Sequence, residues 1–137
     1  MADCPADQTV TADGTTTVNA TAVDTAGNTA TTTVVVRVDR TKPSGAITTP
    51  NNTVFLLGGH LSGTATDTTS GIDTVTVTYS AAATVTATAT CDTPHQTCTW
   101  TAPVPTPTLG GYTATAHITD QAGNTTTATP IHITTVL

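Results

Sequence analysis

Nine acidic side chains stand against three basic ones in this 137-residue sequence. Four of the acids fall where a hard cation could use them. Asp39 sits just ahead of a Pro-containing stretch, Asp67 and Asp73 bracket a Thr-Thr-Ser-Gly turn, and Asp120 shares a short turn with Asn124. Calcium takes roughly six to eight oxygens from carboxylates, amides and carbonyls, so these are the calcium candidates. A purely local reading competes with it, because Asp and Asn also satisfy the backbone of their own turns. No Asp-x-Asp-x-Asp run is present, and no cofactor is assigned.

The histidines are 60, 95, 117 and 132. His117 and His132 fall on two neighbouring strands near the end of the chain and could face each other. A zinc site wants about four ligands, so a plain cross-strand histidine pair is the preferred reading. Catalysis needs a nucleophile with a base, or paired carboxylates in a pocket. The sequence has no Gly-x-Ser-x-Gly, and a small interior filled by Ala and Val leaves little room for a cleft, so no enzyme is expected. Tyr79, Trp100 and Tyr112 could form a platform on which a sugar stacks. Trp100 and Tyr112 read more simply as core and corner residues, in a chain with only 3% aromatics.

Of the three cysteines, Cys91 and Cys98 flank the short connection Asp-Thr-Pro-His-Gln-Thr. A disulfide there staples a hairpin end, and a loop of this size is worth about 2–3 kcal/mol in chain entropy. Such a bond points outside the cytosol. Cys4 is left without a partner.

A repeated turn organises the chain. Asp24-Thr25-Ala26-Gly27-Asn28 recurs as Asp120-Gln121-Ala122-Gly123-Asn124, 96 positions later. Asp bonds the amides ahead of it, Gly takes positive φ without a Cβ clash, and Asn tolerates the left-handed region. Alternating Thr/Ala/Val/Ile runs flank both copies, which therefore read as hairpins. The spacing is about that of one immunoglobulin-type sandwich of roughly 100 residues. Cys4 and Cys98 lie 20 and 22 residues before their turns, so Cys4 is the counterpart of Cys98, although a stray thiol would look the same. The chain thus reads as a segment of a tandem array. Residues 1–40 are the C-terminal hairpin of one repeat, and residues 41–137 are a complete module. Asp39-Arg40-Thr41-Lys42-Pro43 is a short, semi-rigid joint, with Pro43 holding Lys42 extended.

Within 41–137 the period-two pattern predicts edge strands at 45–49 and 53–57, then strands at 61–67, 72–79, 83–90 and 97–101. A Pro/Gly-rich crossover loop spans 102–111, and a final hairpin begins at Tyr112. No stretch shows helical spacing. About three residues in ten are threonine, which places hydroxyls on the outer strand faces and Val, Ile, Ala and Leu on the inner ones. Only three basic residues, Arg37, Arg40 and Lys42, are present; they make no phosphate-binding patch, which argues against nucleic acid. No apolar run approaches the ~20 residues of a membrane span.

Several segments resemble the bacterial immunoglobulin-like repeats of secreted and surface-anchored proteins. They are Gly63-Thr64-Ala65-Thr66-Asp67 with Ser70-Gly71-Ile72, Val75-Thr76-Val77, Trp100 before the Pro-rich loop, Gly111-Tyr112-Thr113-Ala114-Thr115-Ala116, and the Asp-x-Ala-Gly-Asn hairpins. The stretch from Val38 to Pro43 is similar to the joints of such arrays, and Cys4-Pro5-Ala6-Asp7 onward resembles the end of a hyaline-type repeat. The resemblance implies an all-β immunoglobulin-like sandwich of about seven strands, in an extracellular or cell-surface protein, with neighbouring repeats as partners. Some members of that superfamily bind calcium at joints between modules. The antibody pattern of Cys, Trp and Cys bridging two sheets is not present here. The implied function is a non-catalytic spacer that presents an adhesive or catalytic domain. Two alternatives stand beside it: a fibre subunit that self-associates by strand addition, and an adhesin module for carbohydrate or a host protein.

Overall fold

A computed structural model describes residues 2–56, 58–80, 82–105 and 109–137. Leu57 and residues 106–108 of the expected crossover loop lie outside the described residues. The chain divides into two compact units, Met1–Arg40 and Thr41–Leu137.

The first unit is a long hairpin, β1 (Gly14–Val23) paired antiparallel with β2 (Thr29–Val38) through ten residue pairs. The period-two alternation sorts its faces. Thr16, Val18, Ala20, Ala22, Val34, Val36 and Val38 share one, while the other is mostly threonine. There the Thr21 and Thr31 hydroxyls meet at 2.9 Å and Thr33 donates to Asn19 Oδ1 at 2.8 Å. Every residue of both strands is exposed or half-buried.

The second unit is an all-β, immunoglobulin-like sandwich. One sheet runs β3 (Ser44–Ile47), β5 (His60–Thr66), β9 (Thr97–Pro103), β8 (Thr88–Cys91). The other runs β4 (Thr53–Leu56), β12 (Ile131–Val136), β10 (Gly110–Asp120), β6 (Ile72–Tyr79), β7 (Thr84–Thr86), with β11 (Thr125–Thr127) also on β10. Neighbours are antiparallel except β4 and β12, which run parallel from Thr53↔Ile133 to Leu56↔Val136. Seven sandwich positions are filled. The first strand is split into β3 and β4, the last into β11 and β12, and β7 is added at an edge.

Leu61, Ala65, Cys98, Trp100 and Ala102 of one sheet pack against Val75, Val77, Tyr79, Tyr112, Ala114, Ala116, Ile118, Ile131 and Ile133 of the other. These are the inward positions of the alternation, and burying them is the main favourable term in the fold. Trp100 lies over Gly63, where a Cβ would run into the indole ring and the Ala46 carbonyl.

Several boundaries differ from the expectation by a residue or two, among them β3, which ends at Ile47, and β10, which begins at Gly110 rather than Tyr112; two differences have a clear cause. The single strand expected over 83–90 is two. Ala87 keeps its N–H on Val75 O at 2.9 Å, and Thr88 then crosses to pair with Thr101 of the opposite sheet. The strand expected at 97–101 continues to Pro103, because its partner β5 extends back to His60.

Candidate functional site

Three loops meet at one end of the second unit. Asp67 closes β5, and its Oδ1 accepts the amides of Thr69 (3.0 Å), Ser70 (2.9 Å) and Gly71 (2.9 Å). Gly71 adopts φ +87°. Its carbonyl takes the Gln121 N–H at 2.9 Å, and the Asp67 N–H goes to Gln96 O at 2.9 Å. Asp120 closes β10, its Oδ1 accepting from Ala122 (2.9 Å) and Asn124 (2.8 Å) and its Oδ2 from Asn124 Nδ2 (2.8 Å). Asp67 and Asp120 are 4% and 1% exposed, and a carboxylate oxygen of each lies within 4.8 Å of one of the other.

Two buried like charges this close repel. What compensates is the set of N–H groups each turn aims at its carboxylate, and hydrogen bonds to a charged acceptor are about twice as strong as neutral ones. The pair is therefore coherent as a turn lock. As a calcium centre it is sparse, because two carboxylates supply a fraction of the roughly six to eight oxygens that ion takes. Asp73 lies exposed on β6. Asn124 turns its amide nitrogen toward Asp120, so that end of it is a donor where a ligand oxygen was expected. Asp39 belongs to the first unit and is half-buried. Pro43 directly precedes β3 and is buried.

The first hairpin repeats the Asp120 turn nearly atom for atom. Asp24 Oδ1 accepts from Ala26 (2.9 Å) and Asn28 (2.8 Å), and Oδ2 from Asn28 Nδ2 (2.7 Å). Gly27 and Gly123 sit at φ +88° and +93°, where an L side chain would be strained. The Asn28 side-chain bond, then its backbone amide, hold the fully exposed Asp24 carboxyl below its ordinary 3.8. A carboxyl held low stabilises the folded turn above its ordinary value and gives that up as pH falls. Asp24 is therefore expected to titrate below 3.8 in an NMR titration. The Asn28 amide should lose its hydrogen-bond shift over the same acid range, while Asp24→Asn removes the transition.

His117 and His132 do not face each other. The turn puts Thr125 opposite Thr119, so Thr127 stands opposite His117; the register shifts by one residue between β11 and β12, and His132 stands opposite Thr113. Each imidazole Nδ1 lies 3.2 Å from a threonine hydroxyl. The sugar platform is also corrected. Tyr79 and Trp100 are 2% and 1% exposed, and Tyr112 is buried with them. Trp100 Nε1 donates to Thr64 O at 3.1 Å, and the Tyr79 hydroxyl to Pro103 O at 2.9 Å. The Tyr79 and Tyr112 rings meet edge to face at 6.5 Å. Burial pushes the Tyr79 phenol up to about 12. Cys91 and Cys98 form a disulfide between directly paired residues of β8 and β9. Cys4 is free and exposed.

The parallel β4–β12 pair is among the features that escaped the sequence reading. Asn51 anchors it, with its Oδ1 taking the His132 N–H at 2.7 Å, and Asn52 N donates to His132 O at 2.7 Å. The Pro50-Asn51-Asn52 turn was the available signal, but it does not say which strand it meets.

Residues 51–135 match the family described as bacterial Ig-like domain. No curated protein matches. Among solved structures, an engineered protein aligns over 70% of this chain at 20% identity with a TM-score of 0.45. The chain spans about a fifth of that protein's length, 20%. No helix among the described residues is long and apolar enough to cross a membrane.

Proposed function

Because the chain belongs to the bacterial Ig-like domain family, we propose that it is a non-catalytic spacer of an extracellular or cell-surface protein, holding an adhesive or catalytic domain at a distance. The observation that carries this is the parallel β4–β12 pair. In the second unit the strand near its entry and the strand at its exit lie side by side and point the same way. Once β3, which comes first and is held to β5, has given way, tension on the chain pulls β4 backward and β12 forward along the shared ladder. All of its backbone bonds are then sheared together, where a pull across the sheet would break them one at a time. The second unit also buries a core of its own, as a link in a series needs. Neighbouring Ig-like repeats are the expected partners.

Single-molecule pulling tests the proposal. In a Cys4→Ser background, a ramp through the two termini is expected to unfold the second unit at a clearly higher force than the same ramp through cysteines at Val54 and Thr84, on opposite edges of one sheet. Equal or lower force through the termini would rule out a load-bearing role.

A further inference from the structure

From Gly14 through its turn the first hairpin matches β10 residue by residue at an offset of 96, and on the returning strand the offset becomes 97, where β12 shifts register by one residue. Gly14 matches Gly110, and both have positive φ, +103° and +134°. From there Thr16, Val18, Ala20 and Ala22 match Tyr112, Ala114, Ala116 and Ile118. On the returning strand, pairing to the same partners matches Val34, Val36 and Val38 to Ile131, Ile133 and Thr135. In the second unit all seven counterparts are buried, beneath the sheet β3–β5–β9–β8. In the first unit none of the seven is buried: six are half-buried and Val34 is 53% exposed. An isolated two-stranded hairpin is marginal in water, and a largely apolar face left partly in solvent marks an interaction surface.

We propose that the Val18–Val34–Val36–Val38 face is half of a sandwich core, and that its partner is the inner face of an immunoglobulin-like sheet with a Leu/Ala/Trp centre like that of β5–β9. This rests on reading residues 1–40 as the end of a repeat. The second unit shows what covers such a face, and the matched positions say how the partner differs. Thr16 and Ala22 are smaller than Tyr112 and Ile118, whereas Val18 is larger than Ala114. The partner sheet therefore carries bulkier side chains opposite Thr16 and Ala22, and less bulk opposite Val18.

Hydrogen exchange and sedimentation test this on the whole chain and on a spliced form. In the splice a second copy of residues 41–109 is joined ahead of Gly14, so that Leu109 runs into Gly14 as it does into Gly110. In the unmodified chain the amides of β1 and β2 are expected to exchange much faster than those of β10. In the splice their protection should rise by ~100-fold or more as the hairpin joins a cooperative core. Thr16→Tyr with Ala22→Ile should raise it again by refilling the core. Val36→Asp should cancel the gain, and Val35→Asp, on the opposite face, should not. Unprotected hairpin amides in both splices, with β10 still protected, would overturn the proposal. So would a concentration-dependent dimer of the unmodified chain that Val36→Asp dissociates, since the face would then belong to a second copy. Neither result touches the pulling experiment, which reads the second unit.

Discussion

Trp100→Ala is expected to cost the second unit about 3–5 kcal/mol, the range for emptying a large aromatic site in a core. Trp100 is 1% exposed and is the largest fully buried side chain. Its loss leaves a cavity between the sheets that Leu61 and Ala65 cannot fill without moving the strands that carry them. It also leaves Thr64 O without the indole N–H that now reaches it at 3.1 Å. Domains of this size hold about 5–15 kcal/mol in total, so the variant would be near its threshold. A calorimetric melt should show the transition fall by roughly 15–30 °C. Trp100→Phe should recover part of the loss, because the ring volume returns while the indole N–H bond to Thr64 O does not. A fall of only a few degrees for the alanine variant would mean that the core does not close around this ring.

The second large effect is expected from adding one carbon. Gly63 lies on β5 beneath Trp100, and its missing Cβ is the space the indole occupies. In Gly63→Ala the methyl would meet the ring on one side and the Ala46 carbonyl on the other. The ring can tilt, but the carbonyl belongs to β3, which is held to β5 by its own ladder. Overpacking of this kind costs about 1–3 kcal/mol, and here the upper end is expected because one obstacle is backbone. The cost should shrink without vanishing in a Trp100→Ala background, since Ala46 O remains. A double-mutant cycle on chemical denaturation reads that coupling directly. Strict additivity would mean that the ring does not rest on Gly63.

The hairpins and most of the sandwich were legible because two signals are strictly local. Period-two alternation names the inward face of a strand, and the Asp-x-Ala-Gly-Asn turn closes on itself through bonds at most four residues apart. The sheet change at Ala87 was not legible. Alternation continues through Val85, Ala87 and Ala89 without a break, and which sheet a strand joins depends on neighbours far away in sequence. The histidine pairing failed for a different reason. Counting outward from the turn puts Thr127 opposite His117 and so already separates the rings, and a one-residue register shift between β11 and β12 then puts Thr113 opposite His132. The approach of Asp67 to Asp120 depends on two turns 53 positions apart meeting at one end of the sandwich, and nothing in either turn announces the other. Trp100 and Tyr112 were readable as core, and Tyr79 was too, since it keeps the phase of Val75 and Val77; placing it on a sugar platform set that signal aside.

The paired hydroxyls on the outer strand faces have a consequence for the medium this protein can work in. Thr21 with Thr31, Ser44 with Thr66, Thr78 with Thr84 and Thr119 with Thr125 meet across their ladders at 2.7–3.3 Å. Cross-strand contacts between charged groups would weaken as dissolved ions shorten the screening length from about 30 Å at 0.01 M to about 3 Å at 1 M. Neutral hydroxyl pairs have no such dependence. These cross-strand pairs therefore lose nothing to the screening that dissolved salt brings.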